Sequence, residues 1–336
     1  MEVLKMYFAS ILPTTNNIWI AVLLLALGIV FIIKGGDFFV DASVWVAEVL
    51  KMPKFLIGAT IVSIATTLPE MIVSIIAVAG GNFAISIGNA VGSVTANTGL
   101  ILAISAIFVG GVINRRDFGI KAILIMAATA VIFIFGLTGT FGILPSVLLL
   151  VILIYYMYET AASAKRSVET IEEREATDVK AEPKKIIINI VKFVVGAAGI
   201  VLGADLLVEN AKLLASAIGV SDGIIAITIV AIGTSLPELI TTITSITKKQ
   251  GDLGVGNIIG ANIIDLVLIL PICSFISKGQ LIIEPQSMFL DIPASLLISL
   301  VAVVPALIFK KFTKLQGFVM LALYILYIVL AATIKF

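Results

Sequence analysis

The chain has no histidine and one cysteine, Cys273, in 336 residues. Without imidazole, the usual catalytic zinc sites, Ser-His-Asp chemistry and histidine proton relays are excluded. One thiol forms no disulfide within the chain, and Cys273 sits in an apolar run where packing is its plain role. Charge is also scarce. Asp, Glu, Lys and Arg make up 13% of residues, and the formal net charge is +1, whereas a soluble domain carries about 25% charged residues. There is no basic field for nucleic acid and no acidic tail. The HExxH, GxGD and Ser–His patterns of intramembrane enzymes are missing too. The expectation is a protein that is not an enzyme and needs no cofactor.

Apolar surface is abundant. Hydrophobic residues make up 60% of the chain, and the mean hydropathy is +1.20. That excludes disorder and a water-soluble globule. A helix needs about 20 mostly apolar residues to cross a bilayer. Ten segments qualify: 17–49, 55–80, 84–109, 118–137, 142–160, 186–217, 223–247, 253–277, 286–309 and 313–334. The start, MEVLKMYFASILPTTNN, shows no signal-peptide pattern ahead of the first span.

Lys and Arg orient the spans. Sixteen of the 22 basic residues fall on one set of alternating connections. These are Lys51 and Lys54; Arg115, Arg116 and Lys121; Lys165, Arg166, Arg174, Lys180, Lys184 and Lys185; Lys248 and Lys249; and Lys310, Lys311 and Lys314. The opposite set has Lys278, plus Lys5 and Lys335 at the termini. The first set is expected to be cytoplasmic, with both termini outside. The charged stretch 161–185 mixes signs, lacks aromatics and reads as a flexible cytoplasmic linker.

A shift of 168 residues aligns the sequence with itself, without a gap, from Gly28 to Asn97. Gly28 meets Gly196, Gly35 meets Gly203, Asp37 meets Asp205 and Asp41 meets Glu209. ATTLPE, ending at Glu70, meets GTSLPE, ending at Glu238. Gly88-Asn89 meets Gly256-Asn257, Gly92 meets Gly260, and Asn97 meets Asp265. The match is densest at polar residues, which apolar bias does not produce. Each half holds five spans, an odd number, so the second half enters the membrane from the opposite side. The expected fold is an all-α membrane protein of ten transmembrane helices in two inverted five-helix repeats. The first is 1–160, including an N-terminal stretch 1–16, and the second is 186–336. Secondary transporters use this plan and bind substrate near the midplane.

Glu70, Glu238 and Asp265 lie well inside spans, where a charge costs about 2.5–3.5 kcal/mol on insertion scales and is functional by default. No basic residue lies at similar depth near them in sequence. A proline precedes each glutamate, at Pro69 and Pro237, and removes a backbone donor. The helices are expected to kink or break there, freeing carbonyls around 63–66 and 231–234. Thr66, Thr67, Thr234 and Ser235 add hydroxyls one turn before each acid. In GNAVGSVTAN (88–97) and GNIIGANIID (256–265), glycines four apart let helices approach closely. Ser93 and Asn97 share one face, as do Ala261 and Asp265. The donors are all oxygen, which suits hard cations such as Ca²⁺ or Na⁺. Asp37, Asp41, Asp205 and Glu209 recur in spans 1 and 6. They read as vestibule or structural residues, with cation attraction as the alternative.

These paired motifs resemble the two α-repeats of the cation/Ca²⁺ exchanger superfamily, and within it the prokaryotic sodium/calcium exchangers. The resemblance covers both repeats and the ten-span plan. It implies antiport in the cell membrane, in which Na⁺ entering down its gradient drives Ca²⁺ out through one cavity visited alternately from each side. By position, Glu70 and Glu238 are implied to be central Ca²⁺ ligands shared with Na⁺. Thr66 and Thr234 would bind through carbonyls, and Thr67, Ser235 and Ser93 through hydroxyls. Ser63 and Ala231 would offer carbonyls to Na⁺, and Asn97 and Asp265 would stand mid-site. Spans 1 and 6 would slide across the other eight. The implied partners are the two ions and the lipid bilayer, and the reading is compatible with a monomer. Three positions depart from the pattern. Ala65 replaces a usual Gly, Thr67 a frequent Ser, and Ala261 a Ser that commonly helps hold Na⁺. The last puts the coupling ratio in question. Asp265 keeps open a K⁺-dependent or H⁺-coupled Ca²⁺ exchanger, since a buried carboxylate can titrate or hold another monovalent ion.

Overall fold

The computed structural model describes residues 17–81, 83–109, 115–172, 183–217, 233 and 235–334. Helix α1 spans Ile18–Val49 and starts at Asn17, whose side chain accepts from the amides of Trp19 and Ile20. At 1.5 Å per residue its 32 residues run about 48 Å, longer than the roughly 30 Å hydrocarbon core of a bilayer. Helix α2 is Lys54–Ala79. Helix α3 runs through Phe83–Ala96, a π-turn Asn97–Leu102 and Ala103–Phe108. Then come α4 (Arg115–Gly136), α5 (Ile143–Glu172), α6 (Pro183–Ala217) and α7 (Leu236–Thr247). The last three are α8 (Gly251–Ile276), α9 (Ser287–Phe309) and α10 (Lys314–Thr333). The only strands among the described residues are β1 (Thr140–Phe141) and β2 (Leu281–Ile282), a two-residue antiparallel pair tying the α4–α5 and α8–α9 turns together.

Among the described residues, nine helices are long and apolar enough to cross a membrane. Their ends lie within a few residues of the expected spans, with two exceptions. The expected span 223–247 is described at 233 and from 235 onward, where α7 lies. The other is α5, which continues twelve residues past its expected end to Glu172, into the stretch read as a linker. Side chains explain part of that extension. Glu159 accepts from Ser163 one turn on, at 2.7 Å, and Arg166 reaches both of them.

The helices are buried to very different degrees. The most apolar stretch of α8 is 83% buried and that of α3 is 72%, against 22% for α1 and 17% for α6. So α3 and α8, which carry the GN motifs, form the centre, while α1 and α6 lie on the flank with apolar side chains turned outward. The main core joins α3, α4, α5, α8, α9 and α10, with Ile125, Phe141, Tyr156, Ile263 and Val267 inside it. A smaller cluster of Phe39, Val40, Ala47, Ile57, Ile200 and Leu253 joins α1 and α6 to α2 and α8.

The most extensive helix contact in the molecule is between α1 and α6. Glycines set its distance. A Cβ on Gly28 would meet the Gly203 carbonyl at 2.9 Å, and one on Gly196 would meet the Gly35 carbonyl at 2.8 Å. Under the 168-residue offset, Gly28 maps to Gly196 and Gly35 to Gly203. The two close contacts are therefore images of each other, as in a two-fold interface.

Helix α2 corrects one expectation. It does not break at Pro69, and Ser63–Ala79 is one helix with the proline inside. The irregularity is a π-turn at Gly58–Val62, whose wider winding takes up the backbone adjustment two turns before the proline. In the second half α7 does start at the motif, with Pro237 in its first turn, where a missing amide costs nothing.

Candidate ion-binding site

Four helices, α2, α3, α7 and α8, carry the polar residues singled out in the sequence. Each is held against its neighbours by small residues or amides. A Cβ on Gly58 would run into the Leu253 carbonyl, and one on Gly256 into the Phe55 carbonyl, so α2 and α8 touch backbone to backbone. Gly260 lies against Ala59 and the Ser63 hydroxyl. The Tyr156 hydroxyl of α5 donates to the Ala59 carbonyl inside the π-turn, giving that carbonyl a partner.

Glu70, Glu238 and Asp265 are each 1% exposed. Glu238 and Asp265 are the charged neighbours of Glu70, and all three carry the same sign. None of the three is ion-paired with a described residue, and both oxygens of Glu70, both of Asp265 and Oε2 of Glu238 have no hydrogen-bond partner among the described residues. The one lysine buried among the described residues, Lys121, is committed elsewhere. Its Nζ lies 3.0 Å from Glu159 Oε2, at 0% and 6% side-chain exposure. The sequence reading had grouped Lys121 with loop cations, but it lies inside α4.

Hydrogen bonds knit the halves together around the acids. Thr67 Oγ1 donates to Glu238 Oε1 at 3.4 Å, from α2 to α7. Thr66 Oγ1 donates to Asn257 Oδ1 at 3.1 Å, from α2 to α8, and reaches the Ser63 carbonyl at 3.3 Å. Asn89 Nδ2 on α3 donates to the carbonyl of Glu70 itself at 3.0 Å and to Ser74 Oγ at 2.9 Å. Asn262 Nδ2 on α8 donates to Thr98 Oγ1 on α3 at 2.8 Å.

Of the expected site residues, Ser63, Thr66, Thr67, Glu70, Ser93, Asn97, Ser235, Glu238 and Asp265 are all buried. Thr66 and Thr67 connect directly to the second half. The Ser93 hydroxyl, Asn97 Oδ1 and the Ser235 hydroxyl are buried oxygens without a hydrogen-bond partner among the described residues. Thr234 and Ala231 lie outside the described residues. Ala261 is fully buried beside Gly260. Asn89, Asn257, Asn262 and Ser74 carried no role in the sequence reading. Repetition at 168 residues had marked the first two, since Asn89 matches Asn257.

Among the described residues, no three acidic side chains stand close enough to make a metal cage by themselves. A cation held here would draw on hydroxyl, amide and carbonyl oxygens as well as carboxylates. That donor set suits a hard ion. Several buried like charges, with no basic partner among the described residues, are neutralised by a cation or by protons.

The sequence model of the family described as sodium/calcium exchanger protein matches residues 20–160 and 188–333. The two matched stretches begin 168 residues apart, the offset of the internal alignment. An uncharacterized membrane protein of Methanocaldococcus jannaschii is 33% identical over 308 residues, covering 89% of this chain and 94% of the relative. The sodium/calcium exchanger MaX1 of Methanosarcina acetivorans is 28% identical over 352 residues, covering 91% and 97%. Among solved structures, the sodium-calcium exchanger NCX_Mj, soaked with 2.5 mM Na⁺ and 10 mM Sr²⁺, is similar with a TM-score of 0.78 at 29% identity. That match covers 95% of this chain and 100% of the other.

Proposed function

The chain belongs to the sodium/calcium exchanger family, and on that premise we propose that it exchanges Na⁺ for Ca²⁺ across the membrane by alternating access to a midplane site centred on Glu70 and Glu238. The observation that carries the proposal is the pair of buried glutamates, one from each half, with no basic partner among the described residues and with Thr67 of one half bonded to Glu238 of the other. Two opposed carboxylates match one Ca²⁺ in charge. Na⁺ ions in a set match the same cavity.

In this reading Glu70, Glu238, Thr66, Thr67, Thr234, Ser235, Ser93, Asn97 and Asp265 form the ion shell, and Ser63 and Ala231 give carbonyls to Na⁺. The chain has ten spans in two inverted repeats, 1–160 and 186–336, joined by a cytoplasmic connection across 161–185, with both termini outside. The reciprocal glycine contacts between α1 and α6 support the two-fold relation. So do the π-turns of α3 and α8, which begin at the matched residues Asn97 and Asp265. The flank position of α1 and α6 supports their movement as one unit across the rest.

Coupling then follows from electrostatics. An empty cavity with bare carboxylates resists desolvation and does not change sides. One Ca²⁺ or a set of Na⁺ ions discharges it and allows the switch. Asn89 would hold α3, and Asn257 would hold α8, in register with α2 while ions come and go.

Asp265 favours a second reading. It stands where the first half has Asn97, so the cavity carries one carboxylate more than two-fold symmetry requires. That extra charge would take a K⁺ or a proton. Ca²⁺ uptake into proteoliposomes under imposed Na⁺, K⁺ or pH gradients separates the readings. Uptake driven by an outward Na⁺ gradient supports Na⁺/Ca²⁺ exchange. Uptake indifferent to that gradient refutes it, and added dependence on K⁺ or pH points to Asp265.

A further inference from the structure

The end of α7 carries an ion pair that the proposed ion site does not use. Lys248 Nζ lies 2.7 Å from Asp41 Oδ1 and 3.2 Å from Asp37 Oδ1. It also donates to the Asp37 carbonyl at 3.2 Å. Both acids are on α1, one turn apart on one face. Lys248 stands one residue beyond α7, in a turn that Lys249 closes with φ 59°. That turn is itself anchored to α2, because Lys54 Nζ donates to Gln250 Oε1 at 2.6 Å. The pair therefore ties the flanking α1–α6 unit to the central helices. It borders a recess of about 600 Å³ lined by Asp41, Trp45, Glu48, Lys192 and Gln250.

The two halves are unequal here. Under the 168-residue offset, Asp37 and Asp41 recur as Asp205 and Glu209, yet the position matching Lys248 is Gly80, which has no side chain. Two identical halves would give the inward-open and outward-open states equal energy. The contact that Lys248 makes with Asp37 and Asp41 is therefore not reproduced by its own sequence image at the other face.

We propose that Lys248, Asp37 and Asp41 are positioning residues that latch α1–α6 against α7 at the cytoplasmic face, so that the carrier favours the state with its site facing outward. The inference rests on the alternating-access reading. The pair is partly exposed, with side-chain exposures of 26%, 39% and 51% for Lys248, Asp37 and Asp41. It is a latch that opens readily, and salt weakens it.

A thiol reporter tests this. Ala47 is buried on α1, in the apolar cluster that meets α2 and α8, and Ala47→Cys adds one small atom there. The native Cys273 is buried and gives little background. In inside-out vesicles, a membrane-impermeant maleimide should label the reporter about three to five times faster when Lys248→Gln is added, in keeping with a partly exposed pair. The charge swap Lys248→Asp with Asp41→Lys should return the slow rate, and Lys249→Gln should leave it alone. The half-saturating Ca²⁺ at the extracellular face should rise by a smaller factor in Lys248→Gln, because the outward-facing fraction falls from a majority. Unchanged labelling, or a swap that fails to restore it, overturns the latch while Na⁺-driven Ca²⁺ uptake by the same vesicles continues. Uptake that ignores Na⁺ overturns the exchange reading, and the latch with it.

Discussion

Glu70 and Glu238 are buried to the same degree, but their surroundings differ. Glu238 has a hydroxyl donor in Thr67, whereas both Glu70 oxygens are unpartnered and the Asn89 amide holds only its backbone. A shape-conserving change isolates the charge. Glu70→Gln or Glu238→Gln is expected to reduce Ca²⁺ uptake to the liposome background, because the ion loses one of its two opposed glutamate ligands. Near-normal uptake by either variant would remove that residue from the site. Ala261 tests the monovalent half of the chemistry. It is fully buried beside Gly260, and its match in the first half, Ser93, has a buried unpartnered hydroxyl. Ala261→Ser is expected to strengthen Na⁺ binding, read as a lower half-inhibiting Na⁺ concentration in Ca²⁺ uptake. An unchanged value would put position 261 outside the shell.

The helices reach the site through local irregularities that other helices support. In α2 the π-turn leaves the Ala59 carbonyl to Tyr156 of α5. Tyr156→Phe keeps the ring and deletes only the donor, and a buried carbonyl that loses its partner costs about 1–3 kcal/mol. The variant should melt at a lower temperature in detergent and bind Ca²⁺ more weakly. An unchanged melting curve would mean the carbonyl finds another donor. At the end of α7, burial alone would lower the pKa of Lys248. Its hydrogen bonds to Asp41 and Asp37 and their charges outweigh that and raise it above the ordinary 10.5. A lysine pKa raised by folding gives stabilisation that is complete below the ordinary value and is lost only as pH rises past it. Wild-type and Lys248→Gln proteins should therefore show parallel pH profiles of transport below that value. A divergence under neutral conditions would mean that another titrating group acts on the latch.

Across the whole molecule, the buried centre of α3 and α8, with α2 and α7 against it, holds the polar residues, and a lightly buried flank of α1 and α6 packs on itself through glycines. That division suits a moving unit against a fixed one, because few side chains must separate. Its orientation rests on the lysines and arginines. A protease tag inserted at 176 should be cut only from the cytoplasmic side of sealed vesicles, and a tag at the C-terminus only from the outside. The reverse pattern would invert the direction assigned to the latch. A tag at 176 cut from both sides would indicate mixed insertion and weaken the reading of the basic loops.

Hydrophobic runs and rare buried acids are local properties, so much of this protein is legible in one dimension. The nine membrane-length helices among the described residues, the repeat at 168 residues and the burial of Glu70, Glu238 and Asp265 inside apolar helices follow from residue order, because a carboxylate in an apolar span stands out without coordinates. Pairing across distance does not. Lys121 and Glu159 are 38 residues apart and each read as an ordinary residue near a span end, yet they meet in the core. The shift of the irregularity from Pro69 to Gly58–Val62 depends on what α5 and α8 press against α2. Lys248 looked like one more cytoplasmic lysine until α1 brought Asp37 and Asp41 to it. The sequence by itself determined which segments leave water and which side chains are costly there. Only the tertiary structure decided which of those costs are met by a partner within the chain, since a partner is set by distance in space rather than along the backbone.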